Sequence, residues 1–184
     1  MLQISKLGVA EDFDAFVAAP ENADKLFEWI GGEAIEVVSN PYSSKVAATI
    51  LGALFVYLKG HNLGHVTGAD GGYIVAGERY VPDVAFITYQ KQATLSYEAG
   101  YNPNPPDLAV EVISPRNTPR EVTLKVANYL AAGTTVWVVY PQPQEVHIFV
   151  PGRVAQVARR DDHIPGGELL PDFQLAVKEI FSAE

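Results

Sequence analysis

Residues 106–114 read PDLAVEVIS, a strand-like segment that carries a glutamate among apolar neighbours. Side chains alternate across a β-strand, and both faces of this segment are apolar except at Glu111. A strand that is apolar on both faces usually lies inside a covered sheet, where a carboxylate is seldom buried without a partner. The segment therefore predicts a central strand, with Glu111 either at an exposed strand end or beside a cation.

The composition is that of a globular protein with one domain over residues 1–184. Hydrophobic residues make up 48% and charged residues 19% of the chain. No apolar stretch approaches the roughly 18 residues of a membrane span, and the N-terminus lacks the pattern of a signal peptide. Cysteine is absent, which excludes disulfides and thiolate metal sites. We therefore expect a cytoplasmic protein with no membrane partner.

The formal net charge of −9 bears on the possible partners. Proteins that coat a nucleic-acid backbone normally carry a basic patch, so the acidic balance argues against that class. It permits a local basic groove, or an acidic site that holds a divalent metal ion.

The rest of the chain predicts helices and strands around this central strand. Helices are expected over residues 11–19, 43–59 and 118–132, with a short one near residue 181. Strands are expected as a hairpin at 24–38, two or three strands over 64–89, a strand at 135–140 and a hairpin at 145–158, with a loop at 97–106. This order indicates a mixed α/β sandwich with one central sheet.

Two carboxylates stand in strongly apolar strands, Asp83 in VPDVAFIT and Glu111 in PDLAVEVIS. If the strands are neighbours, both side chains can converge on one side of the sheet. Mg²⁺ favours such oxygen ligands, commonly one or two carboxylates with water and substrate phosphate. The alternatives are a turn residue after proline for Asp83 and a salt bridge at the strand end for Glu111.

A lysine inside the third predicted helix is the next candidate. Lys125 shares the face defined by Val122 and Tyr129. It either extends to solvent or pairs with Glu121, or it points its ammonium group at the carboxylates. Two carboxylates, a metal ion and a lysine suit phosphodiester hydrolysis, because the metal lowers the pKa of water and neutralises phosphate charge.

The chain resembles the Uma-two family of restriction-endonuclease-like proteins, within the PD-(D/E)xK nuclease superfamily. The resemblance is carried by four segments and extends over nearly the whole chain. They are VPDVAFIT (81–88), PDLAVEVISP (106–115), EVTLKVANYLAAG (121–133) and VWVVYP (136–141). It implies a restriction-endonuclease-like core, a central mixed sheet flanked by helices, with added N-terminal and C-terminal β-hairpins.

The resemblance also implies functional residues. Asp83 and Glu111 match the acidic metal ligands, Lys125 matches a lysine that has moved to the next helix, and Glu33 matches an acidic position that often joins the site. An exposed hairpin glutamate is the alternative for Glu33. The resemblance implies Mg²⁺, or Mn²⁺, as the cofactor. It implies a nucleic acid as the substrate, with DNA as the expected class and RNA as the alternative, and a homodimer or a higher homo-oligomer as the assembly.

The chain departs from the family pattern at two positions. Ile113 stands where the superfamily usually has its lysine, two residues after the glutamate. Lys45 stands where the family often has a histidine, and although a lysine can contact phosphate, it cannot act as a neutral imidazole base. These departures keep a second hypothesis open, a non-catalytic binding or regulatory protein that retains an ion-paired Asp83–Glu111–Lys125 cluster.

Overall fold

The computed structural model of the chain describes residues 4–6 and 10–182, with side chains described from residue 11 onward. It contains four α-helices and a short 3-10 helix at Pro20–Asn22. The α-helices are α1 (Ala10–Ala18), α2 (Pro41–Gly60), α3 (Pro119–Ala131) and α4 (Val177–Phe181). The strands are β1 (Ile4–Lys6), β2 (Phe27–Ile30), β3 (Glu33–Glu36), β4 (Gly64–Gly68), β5 (Gly72–Val75), β6 (Glu78–Tyr80), β7 (Val84–Thr88), β8 (Tyr101–Asn102), β9 (Leu108–Val112), β10 (Thr135–Tyr140), β11 (Glu145–Phe149), β12 (Gln156–Ala158), β13 (His163–Pro165) and β14 (Gln174–Ala176).

The strands form two six-stranded mixed sheets and one small pair. The first sheet has the order β1-β3-β2-β6-β5-β8, and the second has the order β12-β11-β10-β9-β7-β4. Strands β13 and β14 pair with each other. The sequence predicted a mixed α/β fold, which the structure confirms, but it predicted one central sheet where the structure has two.

The main core lies on both faces of the second sheet. On one face, side chains of α2 and α4 pack against it, including Val46, Ile50 and Ile180. On the other face, Tyr129 of α3 and residues of the first sheet, such as Tyr80, close a second apolar cluster. The second sheet is therefore covered on both sides, as the apolar character of β9 predicted.

The centre of the second sheet is the β9–α3–β10 unit. Strands β9 and β10 run parallel, which requires a crossover connection, and α3 supplies it. Thr118 and Glu121 form the predicted capping box at the start of α3, and Gly133 follows its end with a positive φ of 82°. The start and end signals predicted for α3 are thus confirmed, and the capping box fixes where the helix begins after β9.

The region 64–89 contains four strands, β4 to β7, rather than the two or three predicted. The missed boundary is the two-residue turn between β5 and β6. Ala76 and Gly77 both have positive φ, 50° and 86°, as a type I′ hairpin turn requires. Type I′ turns usually have the sequence Asn-Gly or Asp-Gly. The sequence Ala-Gly is not typical of this turn, so it did not indicate a strand boundary. The pairing of β13 with β14 and the two-residue strand β8 were also not predicted.

Helix α2 is the longest element and spans the second sheet. Asn40 caps its first turn by accepting a hydrogen bond from the Ser43 amide at 3.0 Å. By length and composition alone α2 could cross a membrane, a test that core helices of globular proteins also pass. Val46, Ile50 and Leu54 are fully buried and lie on one face of α2, at the spacing expected of a helix that packs against a sheet.

Candidate functional site

A small cavity of about 90 Å³ opens between α3, the hairpin β2–β3 and the adjoining ends of β7 and β9. Its charged lining includes Glu28, Asp83, Glu111 and Lys125. The cavity is large enough to hold several water molecules. The structure therefore brings three of the predicted site residues, Asp83, Glu111 and Lys125, to one place.

Asp83 immediately precedes β7, which pairs with β9 through Val84 and Val110. Continuing this antiparallel register by one residue brings Asp83 beside Glu111. Its Oδ2 atom accepts a hydrogen bond from the Val112 amide at 2.7 Å. Burial raises the pKa of Asp83, and this effect outweighs the Val112 hydrogen bond and the nearby Lys125 ammonium, which lower it.

The second oxygen of Asp83, Oδ1, has no hydrogen-bond partner of this kind among residues 4–6 and 10–182. Oδ1 is not sealed off either, because the fully buried unpaired side-chain atoms of these residues are on Asn22, Trp29 and Asn102. One carboxylate oxygen therefore anchors Asp83 to β9, and the other is available to a ligand.

Glu111 lies inside β9 with only 12% of its side chain exposed. Its Oε2 atom is 2.6 Å from the Lys125 ammonium, and its Oε1 atom accepts a hydrogen bond from the Tyr129 hydroxyl at 2.9 Å. Burial raises the pKa of Glu111 to about 8; the Lys125 ammonium lowers it, and the Glu28 and Asp83 carboxylates raise it further. The glutamate is thus buried beside a cation, which is one of the two alternatives that its sequence posed.

Lys125 is the cation that meets Glu111. Its side chain is 10% exposed, and its ammonium lies 2.7 Å from Glu28 Oε1 as well as 2.6 Å from Glu111 Oε2. Burial alone would lower the pKa of Lys125, but the two carboxylates outweigh burial and raise it, so the group stays charged. Its contacts are thus with Glu28 and Glu111 and not with Glu121, whose Oε2 atom accepts a hydrogen bond from the Thr118 amide in the capping box.

Glu28, on β2, is a site residue that the sequence analysis missed. Its Oε1 atom accepts from the Val81 amide at 2.7 Å as well as from Lys125, and its side chain is 11% exposed. Glu28 stands between Phe27 and Trp29, so it is a carboxylate inside an apolar strand, the same signal that singled out Glu111. Applied to residues 27–30, that criterion would have found it.

Glu33 lies on the same hairpin but outside the cavity. It pairs with Ile30 across the hairpin, whereas Glu28 pairs with Ile35. Glu33 is therefore two strand positions, roughly 7 Å, nearer the turn than the residue opposite Glu28. Among the described residues, those that line the cavity include Glu28 and Glu36 but not Glu33. The role proposed for Glu33 stays a prediction, and no contact in the structure supports it.

Lys45 is also placed away from the cavity. Its ammonium donates to the backbone carbonyls of Ser182 at 2.6 Å and Ile180 at 3.4 Å, at the end of α4. Cations are favoured there because the last carbonyls of a helix lack partners within the helix. The structure thus gives Lys45 a helix-capping contact, and the phosphate contact expected from the sequence has no support in its position.

A second polar network, of Glu78, Tyr80 and Asn128, lies next to Lys125. The Tyr80 hydroxyl donates to Glu78 Oε2 at 2.5 Å, and the Asn128 amide donates to both groups, at 2.6 Å to Tyr80 and 3.0 Å to Glu78. The Lys125 ammonium lies 5.5 Å from the centre of the Tyr80 ring. These contacts join α3 to β6 and hold Lys125 against the first sheet.

The charges of the cluster do not balance within the protein. Glu28, Asp83 and Glu111 carry three carboxylates, and Lys125 is the one cation that contacts them in the described part of the chain. Full ionisation would leave two uncompensated negative charges in a buried place, which is costly. The raised pKa of Glu111 is one response to this imbalance, and a bound divalent cation would be another.

Two carboxylates of the cluster are oxygen groups of the kind that a hard divalent cation takes as ligands. No group of three or more His, Cys, Asp or Glu side chains forms a ready-made metal cage among residues 4–6 and 10–182. Mg²⁺ does not need one, since it commonly uses one or two carboxylates plus water and substrate phosphate. Asp83 Oδ1 and the unused lone pairs of the Glu111 carboxylate supply such ligands, beside space for several waters.

The comparisons with known proteins identify the family of the chain. The family model of Uma2, described as "Putative restriction endonuclease", matches residues 10–178. The resemblance predicted from the sequence motifs is therefore confirmed. No curated protein matches the chain significantly.

Among solved structures, the fold is similar to the crystal structure of a "putative nuclease belonging to DUF820" from Anabaena variabilis ATCC 29413. The TM-score is 0.79 at 20% sequence identity, and the match covers 91% of this chain and 96% of that chain. At this identity the likeness establishes the fold. It confirms the mixed architecture with a restriction-endonuclease-like core that the sequence predicted.

Proposed function

Since the chain belongs to the Uma2 family, described as putative restriction endonucleases, we propose that it is a metal-dependent nuclease that hydrolyses phosphodiester bonds in DNA. Mg²⁺ is the proposed cofactor and Mn²⁺ its substitute. Asp83 and Glu111 are the proposed metal ligands, and Lys125 is the proposed catalytic cation. The observation that carries the proposal is the convergence of two carboxylates from adjoining strands and a buried lysine on one cavity.

Each residue has a distinct part in this chemistry. When bound, Mg²⁺ would lower the pKa of a coordinated water and neutralise phosphate charge. Asp83 offers Oδ1 to a ligand while Val112 holds Oδ2 in place. Lys125 has three N–H donors and gives two of them to Glu28 and Glu111. The third donor can orient the attacking water or stabilise the charge that develops on the phosphate.

Glu28 has a different part, which is to position Lys125. Its carboxylate contacts the Lys125 ammonium at 2.7 Å, in addition to the contact of that ammonium with Glu111 at 2.6 Å. It therefore fixes the direction of the remaining N–H donor, as outer groups around a metal site commonly do for the residues they contact. Glu28 is a positioning residue in this proposal, because it acts through Lys125.

The direct test is a cleavage assay on supercoiled plasmid and on single-stranded DNA in millimolar Mg²⁺ or Mn²⁺. The variant is Asp83→Asn, since an asparagine oxygen can still accept from the Val112 amide while the charge is lost. The matched control is Asp161→Asn, at an exposed turn. We expect cleavage by wild type and Asp161→Asn and none by Asp83→Asn. Equal cleavage by both variants, or none by wild type, would refute the proposal.

One observation favours a second candidate function, a nuclease-fold binding protein without catalytic activity. Both oxygens of Glu111 already have hydrogen-bond partners, Lys125 and Tyr129, so the cluster is satisfied as an ion-paired core. This candidate predicts that wild type binds DNA, shows no cleavage with any divalent ion, and loses no affinity on chelation. Gel-shift measurements with and without EDTA separate the two functions.

A further inference from the structure

A larger hollow of about 690 Å³ adjoins the acidic cavity and has no part in the chemistry described above. The two spaces share lining residues, namely Val38, Ser39, Ser114 and Arg116. A substrate strand whose phosphate lies in the acidic cavity would therefore continue directly into the hollow. Its volume lies within the roughly 300–1,000 Å³ of sites for small organic ligands, which is suitable for a single nucleoside.

The walls of the hollow are aromatic and apolar, with a free cation at the entrance. Tyr42 lies on one wall, 47% exposed, and its ring contacts no other ring among the described residues. Tyr140 lies on another wall, flanked by Pro141 and Pro143. Within the part of the chain that the structure describes, the Arg116 guanidinium has neither an ion pair nor a hydrogen bond. Arg116 is exposed and lines both spaces.

These features match the parts of a nucleotide. Exposed aromatic rings stack on bases, and because every base has a π-face this stacking tolerates any sequence. An unpaired guanidinium is suited to hold a phosphate in two parallel hydrogen bonds. The chain as a whole carries a net charge of −9, but Arg116 places a positive charge next to the acidic cavity. This positive charge can attract the phosphate groups of a nucleic-acid strand.

We propose that the hollow holds one unpaired nucleotide of the substrate, next to the phosphate that is cleaved, with its base against Tyr42 and its phosphate on Arg116. This inference rests on the proposed function. A base inside a duplex reaches such a hollow only when it is flipped out of the stack, at a cost of a few kcal/mol. The preferred substrate is therefore single-stranded DNA, or a duplex with an unpaired end or flap.

The test compares Tyr42→Ala with wild type and two matched controls. Tyr42→Phe keeps the ring and loses the hydroxyl, and Tyr97→Ala removes a fully exposed tyrosine from a distant loop. Binding of labelled oligothymidylate and of a blunt duplex is followed by fluorescence anisotropy in Mg²⁺. Hydrolysis of bis(p-nitrophenyl) phosphate, a diester without a base, reports on the catalytic residues alone.

We expect wild type to bind the single strand more tightly than the duplex. Tyr42→Ala should weaken single-strand binding by about fivefold or more, with both controls unchanged and hydrolysis of the small diester unaffected. Equal affinity for single strand and duplex, unchanged affinity in Tyr42→Ala, or a change in oligomeric state instead of affinity would overturn the inference. Failure of wild type to hydrolyse any diester while Tyr42 still governs single-strand binding would refute the proposed nuclease and leave the nucleotide hollow standing.

Discussion

The acidic cavity has two walls that differ in how they are built. The sheet wall consists of Asp83 and Glu111, which come from the adjoining strands β7 and β9 at the centre of the second sheet. The hairpin wall consists of Glu28 on β2, in the other sheet. Lys125 bridges the two walls through contacts of 2.6 Å and 2.7 Å. The site therefore exists only where the two sheets meet.

This difference shows what each wall contributes. The sheet wall supplies carboxylates near one another on a rigid ladder, which is suited to holding a cation. The hairpin wall supplies a carboxylate whose Oε1 atom is used by Lys125 and the Val81 amide, which is suited to holding a lysine in place. Variants that break the bridge should therefore lower the stability of the fold more than variants that alter either wall alone.

The largest effect on stability is expected from Lys125→Met, which removes the bridge and keeps much of the side-chain volume. Loss of a charge-stabilising donor in a closed site lowers the rate by about 10²–10³-fold. Leaving Glu28 and Glu111 without their cation should also destabilise the fold by about 3–5 kcal/mol. Single-turnover cleavage and urea unfolding measure the two effects. A variant with wild-type stability would show that the carboxylates do not depend on Lys125.

The next largest effect on the cleavage rate is expected from one of two glutamates on the β2–β3 hairpin. Glu28→Gln loosens the hold on Lys125 and should lower the cleavage rate by about 10–100-fold, as for groups that orient a metal-site residue. Glu33→Gln, two strand positions away on the same face, should change the rate less than about twofold. Parallel rate measurements at saturating Mg²⁺ separate the two. A larger loss of cleavage rate in Glu33→Gln than in Glu28→Gln would support Glu33 as the site residue, as the family resemblance implied.

These two glutamates also show how far the sequence could lead. The apolar surroundings of Glu111 and the alternation rule were enough to place a central strand and to find its carboxylate. Glu28 is likewise a carboxylate inside an apolar strand, whereas the family resemblance implied Glu33 as the acidic site residue of this hairpin. Strand pattern says which face a residue occupies. It does not say which part of a hairpin reaches a second sheet, because that depends on a pairing between distant strands.

The contacts of two lysines could be predicted to different extents. The capping box at Thr118 fixes where α3 begins, which placed Lys125 in that helix but left solvent, Glu121 and the carboxylates open as its partners. Lys45 contacts the carbonyls of Ile180 and Ser182, over 130 residues further along the chain. No local pattern encodes such a contact, which arises only when α2 and α4 pack together.

A smaller effect is expected on the pH dependence of the free energy of unfolding, through Glu111 of the sheet wall. Burial raises the pKa of Glu111 from its ordinary value of 4.5 to about 8, so the folded chain holds a proton that the unfolded chain releases. Stability contributed by the neutral form is therefore complete below pH 4.5 and is lost as the pH rises towards about 8.

The measurement is urea unfolding in EDTA, for wild type and Glu111→Gln, at several pH values across that window. The glutamine variant is the reference because it cannot ionise. The free energy of unfolding of wild type, relative to the variant, should fall as the pH rises and recover when Mg²⁺ is added. A difference that stays constant with pH would mean that Glu111 has an ordinary pKa.

The smallest effect is expected outside both walls. Lys45→Met removes the contacts with the Ile180 and Ser182 carbonyls but leaves the cavity intact. Cleavage should stay within about twofold of wild type, with a small loss of thermal stability. Steady-state kinetics and a thermal melt are sufficient. A large rise in KM without a change in stability would instead support the phosphate contact predicted for Lys45.

The most direct test of a cation site between Asp83 and Glu111 is isothermal titration of the protein with Mg²⁺, using wild type and Glu111→Gln. Repeating the titration in two buffers of different ionisation enthalpy counts the protons released, because a metal ion must displace any proton held by Glu111. We expect wild type to bind at millimolar Mg²⁺ or below with proton release at neutral pH, and the variant to show no binding. Absence of binding to wild type at millimolar Mg²⁺, or equal binding by both proteins, would contradict a metal site at this cluster.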